Sequence, residues 1–106
     1  MTYHVEIAER AHRDIDDCAA YMSEYSEEFM LAQLDRLDSI FNKTLAQSPT
    51  TWTYFFITGA PYHAYLFKVG RRTHYWIVYT IDEDAKRVDV LSFWNASRDT
   101  KAFSVE

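Results

Sequence analysis

Cysteine, glycine and proline are all scarce in this chain of 106 residues, which contains one Cys, two Gly and two Pro. The single thiol, Cys18, excludes an internal disulfide framework and a thiolate zinc cluster. The shortage of glycine excludes a glycine-rich nucleotide cradle, and the hydrophobic fraction of 48% excludes a disordered tail. A single domain spanning 1–106 is predicted, because a chain of this length buries roughly two-thirds of its surface on folding.

The chain also lacks an excess of basic over acidic residues, and it lacks long apolar runs. The net charge is −5, which disfavours a general nucleic-acid coat and a binder of anionic membranes. No apolar stretch reaches the roughly 18 residues of a membrane span, and no basic start precedes an apolar run. We therefore expect a soluble cytoplasmic protein that binds no membrane and that, alone, recognises no specific DNA sequence.

Charge is distributed unevenly along the chain. The first 50 residues carry ten Asp and Glu against four Lys and Arg, whereas the remainder is close to neutral. Residues 61–81 contain no Asp or Glu. The basic residues in this range are Lys68, Arg71 and Arg72, and it also contains His63 and His74. Two interpretations stay open: a solvated acidic helical half beside a neutral sheet, or a sheet half that binds an anionic or acidic partner.

Two amphipathic helices are predicted after a short strand at 3–8. Apolar residues recur every three or four positions through Tyr25 and again over 30–45. Ser26 is the predicted N-cap of the second helix, and Pro49 ends it. The short link predicts an antiparallel hairpin. The two apolar stripes consist of Ala8, Ala11, Ile15, Cys18, Met22 and Tyr25, and of Met30, Leu31, Leu34, Leu37, Ile40, Phe41 and Leu45.

From residue 62 the apolar period changes to two, which indicates strands at 62–69, 73–81 and 88–94. Short turns join them, so an antiparallel meander is expected. The aromatic run 52–57 is a candidate further strand. The sequence therefore predicts an α+β fold: an N-terminal strand, an antiparallel helical hairpin, and a curled meander of three or four strands.

Both faces of the central strand are apolar, whereas a sheet with one solvated face should have a polar second face. Either the sheet curls and buries the excess, or the second face is a groove for a partner. The residues in excess of one helical layer are Tyr65, Phe67, Trp76, Val78, Leu91 and Phe93.

The sequence lacks the motifs of most catalytic and metal-binding sites. The four histidines form no H-x-H or H-x-x-x-H pair, the serines lack a G-x-S-x-G context, and Cys18 lies in an apolar helix stripe. We expect no cofactor and no metal. One basic constellation remains, which could hold phosphate oxygens and move a proton in metal-free RNA cleavage. It consists of Lys68, Arg71, Arg72, His74 and Arg98.

The order of elements and several short segments resemble the RelE/ParE superfamily, the toxins of bacterial type II toxin–antitoxin modules. The similarity covers nearly the whole chain. The family implies a helical hairpin on a curled antiparallel sheet, and an antitoxin whose tail wraps the toxin. The segments that carry the resemblance are 3–5, Ala11-x-x-Asp14-Ile15-Asp16-Asp17, Pro49, 62–69, 76–82, 88–91 and Ser97-Arg98-Asp99.

The resemblance implies two possible activities. RelE-like members cut messenger RNA on the ribosome with basic residues across the sheet, whereas ParE-like members inhibit DNA gyrase without that set. Lys68 and Arg98 stand where basic residues are usual in the RNase branch, but Trp76 replaces an expected arginine and His63 another basic residue. The ParE-like branch is therefore favoured, since losing one charge-stabilising donor reduces rates about 10²–10³-fold.

Three functions are carried forward from the sequence. The first is a ParE-like toxin that inhibits DNA gyrase and is neutralised by a cognate antitoxin. The second is a ribosome-dependent messenger RNA endonuclease that uses Lys68, His74 and Arg98. The third is a non-toxic interaction module of the same fold. The predicted partner-binding residues are Phe67, Arg71, Arg72, Trp76, Val78 and Arg98.

Overall fold

The structure is a computed structural model and describes residues 2–51, 62–69 and 73–95. Its elements follow the predicted order of one strand, two helices and three strands. They are β1 (His4–Ile7), α1 (Glu9–Ser23), α2 (Glu27–Ser39), a π-helical segment (Ile40–Leu45), a 3₁₀ turn (Pro49–Thr51), β2 (His63–Val69), β3 (Thr73–Asp82) and β4 (Arg87–Asn95). The α+β fold class is confirmed. The candidate strand at 52–57 and the Gly70-Arg71 turn lie outside the described residues.

The helical hairpin ends where its local signals predict. The Ser26 hydroxyl accepts a hydrogen bond from the backbone N–H of Phe29, so it caps α2, and Glu27 and Glu28 lie in the first turn. Helical backbone continues through the π-helical segment to residue 47, and Pro49 then begins the 3₁₀ turn. The predicted N-cap and the predicted helix end are both confirmed.

The four strands form one mixed sheet in the order β1-β4-β3-β2. Strands β2, β3 and β4 are antiparallel neighbours, which confirms the meander. Strand β1 adds to the far side of β4 in parallel. A parallel neighbour needs a long crossover, and the helical hairpin is part of the chain between these two strands. A register shift between Val78 and Tyr79 marks a bulge in the β3–β4 ladder.

The main core lies between the helices and one face of the sheet, here called the helix face. The helices contribute buried residues that include Met22, Leu37 and Phe41, and half-buried Ile15 and Leu34 also lie on the predicted stripes. The sheet contributes Phe67, Val69, Ile77, Tyr79, Val88, Val90 and Phe93. The predicted packing of the hairpin on the sheet is therefore confirmed.

Two residues of the predicted stripes lie outside the core. Tyr25 is 73% exposed because α1 ends at Ser23 and the chain turns toward α2. Leu31 is 52% exposed, since it follows Met30 by about 100° around the helix, beyond the arc that the sheet covers. The predicted stripes therefore include two side chains that the sheet does not cover.

Candidate functional site

The second face of the sheet is the face opposite the helices, and it carries part of the predicted partner surface. Directly paired residues of antiparallel strands share a face. Leu66 pairs with Trp76, and Trp76 pairs with Trp94, so these three side chains form a row across β2, β3 and β4. Ala64 and Val78 form a small buried cluster beside this row, with Tyr62 and Trp76 packed against it. The centre of this face is therefore apolar and aromatic.

A basic pair stands at one end of the same face. Lys68 of β2 pairs with His74 of β3, next to the row that contains Trp76. The Lys68 side chain is exposed and His74 is half-buried. An ammonium beside an imidazole can hold an anionic oxygen and donate a proton to it. The structure thus brings together two of the three predicted catalytic residues, and Arg98 lies outside the described residues.

The structure differs from the predicted partner surface at two residues, Phe67 and Val78. Phe67 pairs with Tyr75 and is 1% exposed in the main core, so placing it on the second face with Trp76 was wrong. Val78 does lie on the second face, but it is fully buried in the monomer and supports Trp76 from below. Of the remaining predicted residues, Trp76 is half-buried, and Arg71 and Arg72 lie outside the described residues.

Arg36 of α2 holds the end of β2 and was not identified from the sequence. Its guanidinium donates a hydrogen bond to the Lys68 carbonyl at 3.0 Å and lies 4.8 Å from the centroid of the Phe67 ring. Both contacts fix the backbone from which the Lys68 side chain projects toward the opposite face. Only the position of Arg36 in the last turn of a helix was visible in the sequence, and it does not reveal a contact 32 residues away.

Asp14 of α1 joins the helix to the part of β4 that extends beyond its pairing with β1. Its Oδ2 atom accepts hydrogen bonds from the Ser92 hydroxyl and from the Phe93 backbone N–H, both at 3.2 Å. The backbone N–H of Ala8 donates to the Val90 carbonyl at 2.8 Å just before this point. Asp14 therefore satisfies a strand donor beyond the end of β1, which gives this carboxylate a structural role.

A groove opens between α1 and the adjoining ends of β3 and β4. It has a cavity of about 440 Å³, lined by residues that include Asp14, Asp17 and Tyr21, and a smaller one of about 160 Å³ toward the α1–α2 corner. Cys18 lies in its floor, and burial raises the pKa of this thiol. The thiol therefore stays protonated at neutral pH and is a weak nucleophile. The shape and lining of the groove suit binding rather than covalent chemistry.

No three His, Cys, Asp or Glu side chains within 2–51, 62–69 and 73–95 are placed to hold a metal ion together. In the same part of the chain, no helix has both the length and the apolar character of a membrane span.

The fold has a counterpart of known structure. A chain of the crystal structure of the toxin–antitoxin complex RelBE2 from Mycobacterium tuberculosis matches with a TM-score of 0.57 and 18% sequence identity. The match covers 90% of this chain and 99% of that chain. At this level of identity the match shows a shared fold, and that fold is the α+β arrangement that the sequence predicts. No protein-family model matches the chain, and no curated protein does.

Proposed function

We propose that this chain is the toxin of a type II toxin–antitoxin module and that a cognate antitoxin neutralises it. The fold supports this proposal, because the matching chain belongs to a complex of a toxin with its antitoxin. Aromatic side chains at the surface support it as well, since aromatic anchors are characteristic of protein interfaces. Tyr21, Tyr25 and Phe29 are exposed, and Trp76 is half-buried.

We propose further that the toxin acts in the ParE-like way, by binding DNA gyrase rather than by cutting RNA. The observation that carries this choice is the Leu66–Trp76–Trp94 row in the middle of the second face. An RNA-cleaving sheet needs cationic donors there to stabilise a phosphorane-like charge, and indole and isobutyl groups provide none. Among the described residues of this face, Lys68 and His74 lie at one end of β3, and Arg87, at the other end, is ion-paired with Asp82 and Asp89.

The Lys68–His74 pair favours a second candidate function, a ribosome-dependent messenger RNA endonuclease. Both side chains belong to one face and one cross-strand pair, which suits binding of a phosphate and proton transfer to a leaving oxygen. Arg98 would complete the set predicted from the sequence. The net charge of −5 weighs against this function, since phosphate neutralisation supplies much of the affinity for RNA.

Controlled expression in a bacterial host tests these functions. Growth arrest separates a toxin from a non-toxic module of the same fold. We expect arrest with induction of the DNA-damage response, intact messenger RNA, and inhibition of supercoiling by purified gyrase. Rapid cleavage of ribosome-bound messenger RNA that is lost in both Lys68→Ala and His74→Ala would instead establish the endonuclease. Glu28→Ala, an exposed change on α2, is the matched control.

A further inference from the structure

The smaller of the two cavities, here called the corner cavity, has a largely aromatic wall where α1 meets α2 and the sheet. Small-molecule sites usually measure about 300–1,000 Å³, whereas this cavity has about 160 Å³ and therefore suits one compact group. Among the described residues, no charged side chain lines it. The lining comprises the aromatic residues Tyr21, Tyr25, Phe29 and Tyr75, together with Cys18, Met22, Val69 and Thr73.

The turn of the helical hairpin places three of these aromatic residues. Tyr21 lies in the last turn of α1, Tyr25 follows in the link, and Phe29 lies in the first turn of α2. The backbone N–H of Tyr25 donates to the Met22 carbonyl at 3.0 Å, and that of Phe29 donates to the Ser26 hydroxyl at 3.2 Å. Because these bonds fix the turn, the wall is formed before a ligand binds, which limits the ordering cost of binding.

The arrangement of the rings suits a cation. Tyr21 is 50% and Tyr25 73% exposed, and their rings meet at 69° with centroids 5.4 Å apart, so they form adjacent walls. Half-buried Tyr75 is held from the sheet side by stacking on Phe93, with 4.5 Å between ring centroids. The face of an aromatic ring is the negative part of its quadrupole and attracts a cation. A neutral group of the same shape gains only burial.

The charge near the corner cavity contributes less than its rings. Residues 18–34 contain three glutamates, all exposed, and no Lys, Arg or His. The carboxylate of Glu24 acts on the wall itself: the hydrogen bond to Tyr25 is the main cause that raises the pKa of Tyr21, and Glu24 adds to it. Range 70–72 between β2 and β3 adds two arginines, so the excess of acid is small. Selectivity for a cation must therefore come mainly from the aromatic wall.

We propose that the corner cavity binds a quaternary or methylated ammonium group, carried either by a free small cation or by a lysine side chain of a protein. Such a group combines a compact surface of methyl groups with a diffuse positive charge, which matches an uncharged aromatic wall. Binding of this group does not depend on the proposed toxin function, and it gives the hairpin corner a ligand of its own.

Methionine methyl NMR on the full chain gives a local measurement of binding, because Met22 lines the corner cavity and Met30 does not. Choline is titrated in parallel with dimethylbutanol, its neutral analogue with carbon in place of nitrogen. We expect choline to shift the Met22 signal saturably and to bind at least about 5-fold more tightly than the alcohol.

A second ligand distinguishes the source of the ammonium group. A short peptide with one trimethyllysine is compared with the same peptide containing norleucine. Binding of the methylated peptide at least about 10-fold tighter than that of choline assigns the site to a protein side chain, and weaker or equal binding assigns it to a free cation. If neither cation binds more tightly than its neutral counterpart, the proposal is wrong.

Two pairs of variants test the wall and the nearby charge, with the tighter-binding cation as ligand. Tyr21→Leu removes an exposed ring and should weaken binding at least about 3-fold, whereas Tyr21→Phe keeps the ring and should stay within about 2-fold. Glu24→Gln should weaken the cation about 2-fold and leave the neutral analogue unchanged. Glu9→Gln makes the same charge change at the other end of α1 and should affect neither ligand.

The methyl spectrum without ligand shows whether each variant is folded, and the comparison of charged with neutral ligands on the wild-type chain needs no variant. Cation binding that is unchanged in folded Tyr21→Leu would place the ligand outside the corner cavity and overturn the assignment.

Discussion

The guanidinium of Arg36 on α2 donates a hydrogen bond to the backbone carbonyl of Lys68 on β2, 3.0 Å away. The same guanidinium lies over the ring of Phe67, the neighbouring residue. One side chain therefore joins the second helix to the end of the strand that carries Lys68. This contact links the two halves of the chain near the basic end of the second face.

Replacing Arg36 should loosen this connection. We expect Arg36→Ala to lower the free energy of unfolding by about 1 kcal/mol, because an exposed charged donor and a cation–π contact are both lost. Urea denaturation measures the change. Arg13→Ala, an exposed arginine on α1, is the control and should change stability by less than about 0.5 kcal/mol. Equal losses in the two variants would contradict the specific role of Arg36.

The buried stripe of α2 gives a larger expected effect. Leu37 is 4% exposed in the main core. Leu37→Ala should therefore destabilise the protein by about 2–5 kcal/mol, through lost burial and the cavity left behind. Leu31→Ala on the same helix removes the same atoms from an exposed site and should stay within about 0.5 kcal/mol. Similar denaturation midpoints for the two variants would place Leu37 at the surface.

Tyr79 should make stability depend on alkaline pH. Its hydroxyl donates to the Pro49 carbonyl at 2.6 Å in a buried site, and burial raises the pKa of Tyr79. At pH 7, Tyr79→Phe should reduce the free energy of unfolding by about 1–2 kcal/mol, since the Pro49 carbonyl loses its donor.

The sign of the pH effect follows from the direction of the shift. Tyrosine ionises near pH 10 in the unfolded chain, whereas the folded state holds the Tyr79 proton longer. The stabilisation is therefore fully present below about pH 10 and is lost as the pH rises toward the folded pKa. Urea titrations from pH 7 to 11 should show the wild-type advantage over Tyr79→Phe shrinking above about pH 10. A constant difference across that range would contradict burial of an un-ionised phenol.

Local signals in the sequence were sufficient for most of the fold. Ser26 and Pro49 mark the bounds of the second helical segment through capping and through the missing proline N–H. The alternation over 73–81 correctly divides β3 into two apolar faces. These features depend on neighbouring residues, so they could be identified without knowledge of the tertiary structure.

The errors in the sequence interpretation concern relations between distant segments. The face of Phe67 depends on the register that sets it opposite Tyr75, and a one-residue change of register would reverse it. The contact of Arg36 with Lys68 and the parallel pairing of β1 with β4 also join segments far apart in sequence. Hydrophobic periodicity describes only one segment at a time, so it could not establish these contacts.

The last prediction concerns Trp76, which the proposed function makes an anchor for the antitoxin. The side chain is half-buried on the second face and packs against the Ala64–Val78 cluster, so a partner can cover its remaining surface. Trp76→Ala should weaken antitoxin binding by about 2 kcal/mol or more, mainly through a faster off-rate. Exposed Lys68 stands at the rim, and Lys68→Ala should instead lower the on-rate and its dependence on salt.

Surface-bound kinetics with the cognate antitoxin measure both rates. Because Trp76 also supports the monomer, each variant is first compared with wild type by urea denaturation, and Trp76→Phe keeps an aromatic ring as a milder change. Binding losses should follow the order Ala, then Phe, when both variants remain folded. An off-rate that is unchanged in folded Trp76→Ala would mean that the antitoxin does not contact this face, and the anchor would then have to be sought elsewhere, beginning with Tyr21 in the α1 groove.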